Sequence, residues 1–216
     1  MEVMELGRIS DEVFAYSDLK EDFAYARIPR EKRQYYIAAG LAAGRRAARV
    51  YRGRDLGTLL CSNGVEIRRF SDPSPSGLHS QICCDGAAKQ VDLFRDTARQ
   101  LSAAMDKTPC PVSPQELERL FLAHEFYHWL EYSSGAGTEL QCEPICTKLF
   151  GLFPRQVRIR RTGEIAAFAF SKEFCGLPVH PKAIDYVFVY GREGKSFEEI
   201  CARLAGLEAE YQAECL

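Results

Sequence analysis

The sequence has no C-x-x-C pair, although it carries nine cysteines: Cys61, Cys83, Cys84, Cys110, Cys142, Cys146, Cys175, Cys201 and Cys215. That spacing is the usual mark of a structural zinc or dithiol redox site, so neither has a motif here. No apolar run is long enough to span a bilayer. The opening stretch, MEVMELGRISDEVF, lacks the basic-then-apolar order of a secretion signal. These absences predict a cytoplasmic chain with no membrane partner. Its thiols are then kept reduced, and most of them are expected to serve as small core residues. A lone Cys142-x3-Cys146 pair could share a helix face, but one such pair is a weak signal. An excess of one charge is also missing, with 28 Lys and Arg against 30 Asp and Glu and a formal net charge of -2. That balance gives no global case for nucleic acid as a partner.

What is present is an ordinary globular composition, 46% hydrophobic and 27% charged over 216 residues. The length suits one generous domain, or one domain with a small appendage. Residues 1–30 are acidic and aromatic and read as an N-terminal appendage that ends at Pro29; residues 31–216 read as the main domain. Helical spacing of alanines and apolar residues runs from Arg30 to a break at Gly53. A short helix, a turn at Asn63-Gly64 and a strand from Val65 to Phe70 follow. SDPSPSG reads as a loop. A hairpin with arms Ser80–Cys84 and Gln90–Phe94 and a turn near Asp85-Gly86 comes next, then a helix over DTARQLSAAMDK. The fold class expected is α+β, mainly helical, with a small antiparallel sheet.

Histidine is scarce, and half of it sits in one place. The stretch FLAHEFYHWLE holds His124 and His128, two of the chain's four histidines, four residues apart. Ser113 is placed to cap a helix there, Pro114 suits its first position, and Glu116 completes a capping box. The glycines Gly135 and Gly137 end it. Residues four apart lie on one helix face, so His124 and His128 can turn their imidazoles to one metal ion. Zinc accepts such ligands readily. Glu125, one step round the helix, is a candidate general base for a water activated by that metal. H-E-x-x-H on a helix is the pattern of a metallopeptidase.

A catalytic zinc requires a third protein ligand. Glu131 lies about 10 Å along the axis from His124, too far for one ion. His180, Glu139 and Glu143 stay open as candidates. Glu164, at the start of the helical stretch TGEIAAFAFSKEFCGL, is favoured, because Ala166 and Ala167 would let two helices approach closely. RQVRIRR reads as a strand with Val157 and Ile159 on one side. Its Arg155, Arg158, Arg160 and Arg161 fit either an edge that selects acidic peptide residues or a solvated strand that resists aggregation. His180, Tyr186 and Tyr190 are candidates for stabilising an oxyanion. HPKAIDYVFVYG and the Ser196-capped KSFEEICARLAGLEAEYQAECL read as further helices.

LAHEFYHWLE followed by GEIAAFAFSKEFCGLP resembles the ImmA/IrrE-type metallopeptidases. In that family an H-E-x-x-H helix is followed by a helix of the form E-x-x-A-N-x-F-A-x-x-L-L-x-P. Residues from about 37 to 185 fit the resemblance, which departs from the pattern in lacking its asparagine. The resemblance implies His124, His128 and Glu164 as zinc ligands and Glu125 as the base. It also implies cleavage of one or a few protein partners. A metal-binding regulator of the same fold that does not cleave is the alternative. Nothing in the N-terminal part reads as a helix-turn-helix.

Overall fold

The computed structural model describes residues 6–72, 78–85, 88–149 and 153–216. The protein is mostly helical with two small sheets, an α+β arrangement. In chain order the elements are α1 (Asp11–Lys20), α2 (Arg30–Tyr51), α3 (Leu56–Ser62), β1 (Glu66–Phe70), β2 (Ser80–Asp85) and β3 (Ala88–Phe94). Then come α4 (Arg95–Met105), α5 (Pro114–Ser134), α6 (Thr138–Gln141), β4 (Ile145–Leu149) and β5 (Phe153–Val157). The chain closes with α7 (Arg161–Cys175), α8 (Pro181–Arg192) and α9 (Phe197–Cys215).

The α5 start is set by chemistry local to the chain. The Ser113 side chain accepts the Glu116 N–H, and the Glu116 carboxylate accepts the Ser113 N–H at 2.8 Å. Two of the donors orphaned at a helix start are thereby satisfied. Gly135 ends the helix in the left-handed region at φ 63°, where a side chain would be strained. Between these ends Leu117, Leu120, Ala123, Phe126 and Tyr127 are buried, so α5 runs through the core.

Helix α7 is gripped between α2 and α5. The tightest contact is with α2: a Cβ on Gly44 would overlap the Ala166 carbonyl oxygen, and one on Gly40 would meet the Ile165 side chain at 2.7 Å. The small residues of α7 thus serve its approach to the GLAAG stretch of α2. Tyr51, Phe126 and Phe170 join the three helices, with ring centroids 4.9 Å and 5.9 Å apart for Tyr51–Phe126 and Phe126–Phe170. Such pairs contribute about 0.5–1.5 kcal/mol beyond their area. Helix α1 lies against α2 and α7, with Phe14 and Leu19 fully buried. Asp22, just after α1, accepts the Arg161 N–H at 3.0 Å and so secures the first turn of α7.

The main sheet is mixed rather than antiparallel. Its order is β1-β3-β2, with β1 parallel and β2 antiparallel to β3. The physical reason lies in β3, whose Val91 and Leu93 are almost wholly buried and claim the centre. The charged β1 takes an edge, where Arg68 pairs with its register partner Asp92 at 2.8 Å. Gly86 of the expected turn and most of the SDPSPSG loop lie outside the described residues.

Several expectations need correction. β5 ends at Val157, and Arg158 to Arg160 leave the strand. β5 pairs with β4, a strand that sequence reading missed, because Ile145 opposite Val157 gives too short an apolar signal. Cys142 follows α6 and Cys146 lies in β4, so the two share no helix face. None of the nine cysteines is in a disulfide, but only Cys142 and Cys201 are buried; the rest sit at partly covered or exposed positions. Arg158 donates to the Cys142 carbonyl at 2.5 Å, and Arg161 pairs with Glu21 at 2.9 Å. Those two arginines are therefore committed to the segments that follow α6 and α1.

Candidate metal centre

His124 and His128 lie one turn apart on α5, with their Nε2 atoms 3.2 Å apart. Glu164 comes from the first turn of α7. Its carboxylate sits 3.4 Å from His124 Nε2 through one oxygen and 3.5 Å from His128 Nε2 through the other. Among the described residues this trio is the group of His, Cys, Asp and Glu side chains whose ligand atoms converge closely enough for one ion. Tetrahedral zinc with bonds of about 2.0–2.1 Å has ligand–ligand edges of about 3.3–3.4 Å. These separations fall around that edge length, with Glu164 turning a different oxygen to each imidazole, and two imidazoles with a carboxylate are a donor set zinc accepts.

The electrostatics call for a cation. Burial alone would lower His128, but hydrogen bonds to Glu131 and Glu164 outweigh it and push its pKa up to about 10. Burial likewise would raise Glu164, yet hydrogen bonds from His124 and His128 hold it well below the usual carboxylate range. Its place in the first turn of α7 favours the anion as well. With no metal, the cluster thus holds a proton where a cation would balance the carboxylates.

Glu131 is not in the trio but supports it. His128 Nδ1 lies 3.2 Å from its Oε2, while its Oε1 accepts the Thr138 N–H at 2.7 Å. A carboxylate on Nδ1 fixes the ring and leaves Nε2 facing the cluster. Thr138 is itself bonded to the Tyr127 hydroxyl at 2.8 Å. Glu131 was excluded as a ligand by its distance; its i,i+3 spacing from His128 was the signal for this second role.

Glu125 is tied to the sheet. It is 5% exposed, and its Oε1 accepts the Ser80 hydroxyl of β2 at 2.6 Å. Both Glu125 and His124 line a cavity of about 180 Å³. His79 lines it too, its Nε2 donating to Asp185 of α8 at 2.8 Å and its ring stacked on Phe121 at 5.2 Å. Sequence reasoning missed both Ser80 and His79, which reach the site through sheet and helix packing with no spacing signal.

The other candidates lie elsewhere. Glu143 is exposed and pairs with Lys32 at 3.1 Å. Glu139 belongs to α6, outside the trio. His180 is 2% exposed, stacks on Phe14 at 4.8 Å, and caps α8 by accepting the Lys182 N–H at 3.2 Å. Tyr186 bonds Ser17 at 2.8 Å, and Tyr190 lies under Arg203. Phe126 is fully buried and Trp129 is half-buried against the core.

Compared with protein-family models, with curated proteins and with solved structures, the chain matches none. Among the described residues, no helix is long and apolar enough to cross a membrane.

Proposed function

We propose that this protein is a zinc metallopeptidase of the ImmA/IrrE type, which hydrolyses a peptide bond in one or a few protein partners. The observation that carries the reading is the convergence of His124, His128 and Glu164 at zinc-like separations with Glu125 alongside. The second-helix resemblance, with Glu164 leading α7, points the same way.

Zinc held by these three side chains would supply Lewis acidity and water of lowered pKa. The rest falls to the chain's own groups. Glu131 orients His128 through Nδ1. Ser80 holds one oxygen of Glu125, which leaves the other to accept a proton from water and return it to the leaving amine. The apolar wall around Glu125 limits competing water and strengthens these charges.

Glu125→Gln tests the chemistry. Zinc-loaded protein is incubated with a proteome-derived peptide library, and new N-termini are read by mass spectrometry. The variant should keep its zinc and lose roughly 100- to 10,000-fold of the cleavage. Equal cleavage by the variant would remove Glu125 from the mechanism. Zinc retention with no cleavage by the unmodified protein, on this library or on co-purified proteins, would favour the non-cleaving regulator.

A further inference from the structure

The cavity beside Glu125 has a composition that selects. Leu101 of α4, Leu117 and Leu120 of α5, Phe168 of α7 and Ile184 of α8 form its wall. Its polar members are largely engaged with one another: Ser80 with Glu125 at 2.6 Å, His79 with Asp185 at 2.8 Å, and Ser171 with the Phe168 carbonyl at 3.1 Å. Among the described residues, His79 Nδ1 is the buried polar side-chain atom of this lining without a partner. The lining is therefore poor in free hydrogen-bonding groups, and the carboxylates it holds, Glu125 bonded to Ser80 and Asp185 bonded to His79, would repel a buried acidic side chain.

Its size is equally restrictive. An apolar cavity of about 150 Å³ takes up a benzene ring, and this one measures about 180 Å³. That is room for one phenyl ring or one branched aliphatic group. His124 and Glu125 stand in the same wall, so an occupant lies next to the candidate metal centre and base. The far side of Phe168 differs. There Glu164 borders a cleft whose lining mixes Asp18, Glu21, Arg161 and Lys182 with Tyr186, Val189 and Tyr190.

We propose that this cavity is a specificity pocket that receives one bulky apolar side chain, of the leucine or phenylalanine kind, from the peptide residue flanking the bond to be cut. The proposal rests on the metallopeptidase reading above and names its substrate class. An acidic side chain is excluded from this position by the cost of burying its charge beside Glu125. A residue without a side chain leaves the cavity wet and the contact unmade.

The test uses the full chain loaded with zinc and a series of succinyl hydroxamates. The zinc-chelating group is constant and the substituent is hydrogen, isobutyl, benzyl or carboxymethyl; affinities are read by calorimetry. The isobutyl and benzyl compounds should bind at least ~10-fold tighter than the other two, since a single methylene in such a pocket is worth about 10-fold or more. Leu120→Phe, which fills the cavity, should bring the isobutyl-to-hydrogen ratio toward one. Leu78→Ala, at a lining residue 41% exposed and so tolerant of change, should lower the same ratio several-fold. Equal affinities across the series, with zinc bound, would overturn the pocket and leave the zinc reading standing. Failure of every compound to bind, in protein that retains no zinc, would overturn both.

Discussion

His128 and His180 are two imidazoles inside one fold, separated by little more than α7, and their surroundings drive them in opposite directions. His128 faces Glu131 and Glu164, and its pKa rises to about 10. His180 is sealed against Phe14, and burial lowers it to about 3; Asp11 pulls it back, while Lys172, Lys182 and Arg45 press it further down. Phe168 stands between the two regions, 4.7 Å from the His124 ring and 5.8 Å from that of His180. One histidine belongs to a carboxylate cluster that favours its charged form. The other is a neutral packing residue that caps a helix. Residue type decides neither role; the carboxylates beside His128 and the burial of His180 do.

The largest expected contrast comes from removing each ring. His128→Ala should abolish zinc retention on dialysis, while His180→Ala should keep the metal and lose roughly 3 kcal/mol of stability through its cavity and lost cap. Urea unfolding and metal analysis of both variants read this directly. If His180→Ala lost zinc as completely as His128→Ala, the two regions would not be independent.

Glu131→Gln should come next, weakening zinc binding about 10- to 100-fold, the usual effect of losing a carboxylate behind a ligating histidine. A chelator competition that finds less than a threefold change would show that Glu131 merely holds Thr138.

The third contrast is one of pH. The folded pKa of His128 lies above the ordinary 6.5, so its stabilisation is complete below 6.5 and is lost as pH rises toward about 10. Metal-free protein should therefore melt at progressively lower temperature over that window, and Glu131→Gln should flatten the fall. Zinc binding near pH 7.5 should release about one proton, measurable by calorimetry in buffers of different ionisation enthalpy. Zero release would contradict the charged cluster.

The smallest effect belongs to His180. Its folded pKa of about 3 lies below 6.5, so the unfolded chain binds the extra proton and stability falls as pH drops from 6.5 toward 3. Asp18 opposes this: burial lifts it to about 6 in spite of Lys182, so its stabilisation is present below its ordinary 3.8 and lost as pH rises through about 6. Glu164, Glu131 and Asp11, all held below their ordinary values, steepen the acid loss below about 4.5, so His180→Gln should flatten the fall between 6.5 and 4.5 and leave the steeper part in place.

What was legible in the sequence follows from how local each signal is. The α5 boundaries are written in Ser113, Glu116 and Gly135, within a few residues of the turns they make. The shared face of His124 and His128 follows from helical spacing. The β2–β3 hairpin was readable for the same reason, within a residue or two at its ends. Non-local pairings were not legible. Nothing in β1 announces that it runs parallel to β3, since a buried centre strand decides that. Ala166 and Ala167 suggested a close helix contact, but the tightest one is with the glycines of α2. His79 and Ser80 reach the cavity only because β2 is laid against α5.

The central claim is that His124, His128 and Glu164 hold one zinc ion. Its most direct test is the zinc content of protein purified from zinc-replete cells, with His124→Ala measured beside it. The account predicts about one zinc per chain in the unmodified protein and almost none in the variant. No zinc in the unmodified protein, or equal zinc in both, would contradict it.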